Sequence, residues 1–131
     1  MATLGASLEA VAPGCVRIAA PVRAETGQQH GYAHAGLGWT IGDSAAGYSA
    51  LGLRLKGWEV LTVEMKINPL SPAAGRRLVA EGRVLRAGRR LIVVASDIHA
   101  EAAGGGRSHV ATMLGTMFAL PPEAARPEKS A

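Results

Sequence analysis

The chain has one cysteine, Cys15, in 131 residues. That excludes a disulfide within the chain, and such sparing use favours a reducing compartment. Aromatic residues number five (two Trp, two Tyr, one Phe), and neither a stacking motif nor a zinc-ligand spacing accompanies them. The usual marks of a nucleic-acid binder are therefore missing. No apolar run approaches the length of a membrane span. Residues 1–12 contain Glu9 and lack the basic-then-apolar pattern of a secretion signal. The expectation is a soluble cytoplasmic protein with no membrane partner. Aspartate is the scarcest charged residue, present only as Asp43 and Asp97.

The length suits one domain, here residues 1–120, followed by a Pro-, Ala- and charge-rich stretch, 121–131, expected to be a disordered tail. The formal net charge is +4, and eleven of the fourteen basic residues are arginine. The arginine fork suits phosphates and carboxylates, so an anionic partner is indicated. The arginines concentrate at Arg76-Arg77, Arg83, Arg86 and Arg89-Arg90. A small polyphosphate ligand and a solvated strand face both account for such a cluster.

Asp43 lies in the stretch Leu37-Gly38-Trp39-Thr40-Ile41-Gly42-Asp43-Ser44-Ala45-Ala46-Gly47-Tyr48, whose other members are nearly all small or apolar. A helix of this kind is expected to be buried. A buried carboxylate is costly unless it is paired, hydrated or used. No Lys or Arg stands three or four residues away to pair with it. A functional role is the leading explanation, with a purely structural carboxylate as the other.

Around it, Leu4, Leu8 and Val11 at helical spacing predict a short N-terminal helix, broken by Pro13-Gly14. Alternation predicts a strand over 15–22, then a Gly/His-rich loop to 36 and a helix from about 37 to 53. Further strands are expected at 59–70, 78–86, 91–101 and 108–120. In the first of these, Leu61, Val63, Met65 and Ile67 are assigned to one face and Thr62, Glu64, Lys66 and Asn68 to the other. In the last, Val110, Thr112, Leu114, Thr116 and Phe118 share a face. Short turns between strands make them antiparallel. The class is α+β, an antiparallel sheet wrapped around one long helix. Gly38, Gly42 and Gly47 are unfavourable inside a helix and imply close approach of the sheet.

The chain resembles the hotdog-fold acyl-CoA thioesterases of the PaaI-like, phenylacetate-degradation branch. The resemblance rests on His34-Ala35-Gly36 entering the helix and on Asp43-Ser44-Ala45-Ala46-Gly47-Tyr48-Ser49-Ala50. It extends through Leu61 to Pro72, through Gly82-Arg83-Val84-Leu85-Arg86-Ala87-Gly88-Arg89-Arg90, and through Ala111-Thr112-Met113-Leu114-Gly115-Thr116. It implies hydrolysis of an acyl-CoA thioester, aryl or medium-chain, to free acid and CoA, with no metal or cofactor. Asp43 would act as nucleophile or general base, and the Ala35 N–H would polarise the carbonyl, as a helix N-terminus is suited to do. Gln28 stands where relatives carry Asn, and would orient the water or the carbonyl. Thr62 stands where relatives carry a water-orienting hydroxyl. His34 would either shape the oxyanion site or cap the helix. Gly88, Arg89 and Arg90 would meet the phosphates of coenzyme A.

Ala35 and Asp43 are eight residues apart, about 12 Å along a helix. One carbonyl cannot touch both within a chain, since reacting groups must lie within about 3–3.5 Å. The two either serve different sites or meet across a dimer with antiparallel helices. The family implies paired hotdogs, assembling as a homodimer or homotetramer. Two alternatives are weighed against hydrolysis. A hotdog enoyl-CoA hydratase or dehydratase needs a His–carboxylate block that the His34 to Asp43 spacing does not supply. A non-catalytic acyl-CoA-binding regulator would need an added DNA-binding segment, for which the chain has no room.

Overall fold

The computed structural model describes residues 1–123. Residues 124–131, most of the expected tail, lie outside the described residues. Strand β1 (Ser7–Ala12) is followed by β2 (Cys15–Pro21), helix α1 (Ala35–Leu51), β3 (Glu59–Pro69), β4 (Arg77–Ala87), β5 (Leu91–Glu101) and β6 (Arg107–Leu120). The strands form one six-stranded sheet in the order β1-β2-β4-β5-β6-β3. Every neighbouring pair is antiparallel. Helix α1 packs on one face of this sheet, the two-layer arrangement expected from the sequence.

The helix buries Leu37, Gly38, Ile41, Gly42, Ala45, Ala46, Ser49 and Ala50. They meet Ile18, Leu78, Ile98 and Met113 towards one end and Ile92, Val94 and Met117 towards the other. Two buried hydroxyls are satisfied by helix carbonyls: Ser96 Oγ donates to Gly42 (2.9 Å) and Ser49 Oγ to Ala45 (2.7 Å). Helix and sheet backbones come together at Gly82 on β4, where an added Cβ would stand 2.3 Å from the Ala45 carbonyl carbon. Of Gly38, Gly42 and Gly47 in the helix, Gly42 alone is pressed this hard. A Cβ there would lie 2.2 Å from Met113 Sδ, whereas at Gly38 and Gly47 it would make ordinary contacts.

Three expectations are corrected. The N-terminal segment is not a helix beyond a single 3-10 turn at Ala2–Leu4; it continues as β1. The register of β1 on β2 shifts between Leu8 and Ala10, so Leu8 opposes Ile18 and Val11 opposes Val16. A bulge thus places residues three apart on one strand face, imitating helical spacing. Pro13-Gly14 is the hairpin turn, with Gly14 at φ 73°.

A second bulge changes β3. Thr62 pairs with Met117 and Glu64 with Thr116, leaving Val63 unpaired. Val60, Thr62, Met65 and Ile67 therefore face the helix, while Leu61 and Val63 are 57% and 59% exposed. In β6 the face carrying Thr112, Leu114 and Thr116 is the outer one. Ala111, Met113, Gly115, Met117 and Ala119 line the core, and Val110 is also buried where the β5–β6 register shifts. The helix itself starts and stops two residues earlier than expected, because His34 caps it and Gly52 ends it.

Candidate active site

The helix entrance is held by a small network. Gln28 N–H donates to Tyr32 O (2.8 Å), Ala33 N–H to Ala73 O (3.0 Å) and His34 N–H to Thr26 O (2.8 Å). His34 adopts the extended backbone of an N-cap, and its Nδ1 accepts the Gly36 N–H at 2.9 Å. Of the two roles weighed for His34, the cap is observed. It consumes the Gly36 donor. No hydrogen bond among the described residues takes the Ala35 N–H, as expected at a first helical position. Gln28 Oε1 accepts the His30 N–H, and among the described residues no hydrogen bond takes the Gln28 amide NH2. Gln28, Tyr32, His34 and Ala35 line a cavity of about 350 Å³, walled further on by Ile67, Leu78 and Ile98.

Asp43 sits eight residues along, on the helix face that the sheet leaves open. It is half-buried, not buried as the sequence suggested, because the sheet covers α1 on one side only. Thr62 Oγ1 donates to Asp43 Oδ1 at 2.8 Å. The bulge at Val63 is what turns that hydroxyl inward. Among the described residues Asp43 makes no ion pair. With Tyr48, Leu51, Val60, Thr62 and Met117 it lines a second cavity of about 340 Å³. The two cavities share no lining residue. One chain thus brings Gln28, His34 and Ala35 together, brings Asp43 and Thr62 together, and keeps the two groups apart. Of the aromatic residues, Tyr32 lines the first cavity and Tyr48 the second, whereas Trp39 and Trp58 line neither.

The outer face of the sheet has a different character. Arg83 pairs with Asp97 (2.6 Å), Arg17 with Glu81 (3.2 Å), Arg107 also with Glu81, and Arg77 with Glu101 (2.6 Å) and Glu9. Asp97 further accepts from Thr112 (3.0 Å) and faces His109 (3.1 Å), whose ring stacks on His99 at 4.7 Å. Burial works to raise the Asp97 carboxyl, but hydrogen bonds from Arg83 and Thr112 outweigh it and hold it below its ordinary value. The Arg107 hydrogen bond lowers Glu81. Burial, then the Arg107 and His109 charges, lower His99. Shifted groups here mark an ion-pair network and not a cleft.

The β4–β5 turn lies at the other end of the sheet. Arg89 and Arg90 are exposed there, and neither meets an acid among the described residues. The turn is tied by Gly88 N–H to Leu91 O (2.9 Å) and Ala119 N–H to Arg90 O (2.7 Å). A third tie comes from Arg54, whose Nη2 donates to the Gly88 carbonyl. Arg54 lies outside every sequence motif, and nothing in its local pattern marks it. Among the described residues no group of three His, Cys, Asp or Glu side chains is placed to hold a metal ion. Among the described residues no helix is long and apolar enough to cross a membrane.

The model of the thioesterase superfamily matches residues 30–105. A thioesterase family protein from Silicibacter pomeroyi is 41% identical, covering 92% of this chain and 88% of its own, with a TM-score of 0.89. The E. coli PaaI protein, from the phenylacetic acid degradation operon, is 21% identical over 92% of this chain and 83% of its own, at a TM-score of 0.79. A Bacillus halodurans protein solved with CoA is 24% identical over 79% of this chain and 66% of its own, at a TM-score of 0.71. No curated protein sequence matches the chain.

Proposed function

The chain belongs to the thioesterase superfamily and is a thioester hydrolase, and from that premise we propose that it cleaves acyl-CoA at a site shared between two subunits. Asp43 supplies the carboxylate. The observation that carries this role is its position. It borders a cavity, holds one hydroxyl partner, Thr62, and has no cation beside it among the described residues. A carboxylate so placed is free to take a proton from water or to attack carbonyl carbon itself. The Thr62 hydroxyl, fixed on Oδ1, leaves Oδ2 for the reaction.

The Ala35 N–H of the partner subunit polarises the thioester carbonyl and receives the charge that develops on its oxygen. His34 contributes by capping: it ties up Gly36 N–H and holds the helix entrance open. The free amide of Gln28 donates to the carbonyl or orients the water beside it. Addition gives a tetrahedral centre. If water adds, its proton passes to Asp43, collapse breaks the C–S bond to release the free acid, and the proton returns to the thiolate. If Asp43 adds, collapse expels the thiolate and leaves a mixed anhydride that water then hydrolyses to the free acid, its proton going to the thiolate.

Dimerisation is supported by the separation of the two cavities and by β3, which pairs with β6 on one side only. Its open edge and the uncovered helix face present a surface for a second copy. Exposed Leu61, Leu91 and Leu114 on the outer face give a further apolar surface for joining two dimers. For the substrate, the apolar walls of both cavities suit an aryl or medium-chain acyl group. Gly88, Arg89 and Arg90 suit the phosphates of coenzyme A, and the CoA-bound Bacillus halodurans relative supports that choice. The cytoplasm is the compartment in which such a substrate would be met.

The test is CoA release from a panel of acyl-CoAs, followed by subunit mixing. Asp43→Ala chains are combined with chains carrying Ala35→Pro, which removes the N–H. Hybrid dimers should regain activity that neither parent has, because one of their two sites is intact. An active monomer in sedimentation, or no recovery in mixed dimers, would refute the shared site.

A further inference from the structure

We infer that Arg54 is a positioning residue for coenzyme A, acting through the β4–β5 turn; this rests on the reading that Arg89 and Arg90 meet the CoA phosphates. Arg54 belongs to the connection 52–58 between α1 and β3, thirty-four residues from the turn that it touches. Its Nη2 donates to the Gly88 carbonyl, and its guanidinium stands over the Trp58 ring, 5.6 Å from the centroid. Trp58 is itself packed on the cluster of Ala46, Ala50, Ile92, Val94, Met117 and Ala119. The guanidinium is thus held between a core-anchored ring and the turn backbone, and its direction is fixed.

Stability alone does not explain this placement. Arg54 Nε is buried without a partner among the described residues, which is unfavourable. The group also adds positive charge beside Arg89 and Arg90, and no ion pair with an acid offsets any of the three among the described residues. Like charges gathered in this way repel one another until an anion arrives. Arg54 holds the Gly88 carbonyl, so the turn keeps one shape, and the two exposed arginines that follow it start from a fixed backbone. Part of the ordering that a bound polyphosphate would otherwise impose is already done.

Arg54→Ala should raise KM for the preferred acyl-CoA about fivefold, the scale of one lost ordinary hydrogen bond since Arg54 acts through the turn, and leave kcat unchanged. The N-acetylcysteamine thioester of the same acyl group, which lacks the nucleotide, should be hydrolysed as by the wild type; this also controls for folding. Arg54→Lys keeps the charge and a donor, and should recover part of the loss. In an Arg89→Ala/Arg90→Ala background, Arg54→Ala should add nothing. A fall in kcat on both substrates would make Arg54 a fold-supporting residue and overturn the inference. A full additional KM rise in the double-alanine background would mean that it binds phosphate directly, which also overturns it. If Arg89→Ala/Arg90→Ala raises KM but Arg54→Ala does not, Arg54 alone is misassigned. If the double change has no effect on KM, the phosphate reading falls and this inference falls with it.

Discussion

The two aspartates of this chain are surrounded in opposite ways. Asp97, on β5, accepts from Arg83 and Thr112 and faces His109, so each of its oxygens is occupied and its charge is offset. Asp43, on α1, has the Thr62 hydroxyl on one oxygen, no ion pair among the described residues and a cavity in front. A carboxylate surrounded by cations is stabilised as an anion, and its proton affinity falls. One that meets a single hydroxyl and borders a cavity keeps an oxygen open to a bound substrate. The same side chain is structural in one place and available for chemistry in the other, and the partners decide which. The arginines divide likewise. Arg17, Arg77, Arg83 and Arg107 are matched by acids across the outer face, whereas among the described residues Arg89 and Arg90 at the β4–β5 turn are not.

The contrast breaks first at turnover. Asp43→Asn should lower kcat at least about 100-fold, the usual loss for a removed acid–base group, with an unchanged circular-dichroism spectrum. Asp97→Asn should keep kcat and cost about 1 kcal/mol of stability in denaturant unfolding, since its partners are partly exposed and screened. If Asp97→Asn lost turnover while Asp43→Asn kept it, the two assignments would be reversed.

The arginine contrast is smaller and reads out in binding. Arg89→Ala/Arg90→Ala should raise KM for acyl-CoA about tenfold at unchanged kcat, and added salt should mimic part of this in the wild type. Arg83→Ala, earlier on β4 and already paired with Asp97, should leave KM alone. Equal effects from the two changes would mean that net charge matters and the location of the turn does not.

Much of this was legible in the sequence, because local pattern and tertiary role coincide there. The glycine-rich helix, the strands β2, β4, β5 and β6, and the isolation of Asp43 follow from composition and alternation. What escaped did so through bulges. The register shift in β1 put Leu8 and Val11 on one face at a spacing that also fits a helix. The shift at Val63 reversed the inward face of the first half of β3 and brought Thr62 to Asp43. The motif resemblance had singled out Thr62, whereas strict alternation sent it to the wrong face. Arg54 was invisible because its partners, Gly88 and Trp58, are assembled by tertiary packing and not by spacing. The arginine cluster read as one feature from 76 to 90 is two, since the strand pairing delivers acids to Arg77 and Arg83 and, among the described residues, none to the turn.

The smallest effect concerns the outer face alone. His99 is held below its ordinary value of 6.5, by burial first and then by the Arg107 and His109 charges. Its Nδ1 lies 3.1 Å from the Arg107 guanidinium, which can only donate, so the folded protein keeps the ring neutral. The unfolded chain takes up that proton more readily. Unfolding is then favoured as pH falls: the contribution of His99 is complete above about 6.5 and is lost as pH drops through its lower folded value. Asp97 and Glu81, both lowered, lose theirs in the same direction, but only below the ordinary carboxylate range near 4. Between pH 7.5 and 5 the acid loss of stability should therefore come partly from His99, and His99→Asn, which keeps an acceptor for Arg107, should flatten it in urea titrations. The profile of kcat should be the same in both proteins, because Asp43 and the two cavities lie across the sheet from this network. Identical stability slopes would show that His99 is not the titrating group, and a changed kcat profile would show that the outer face is not separate from the chemistry.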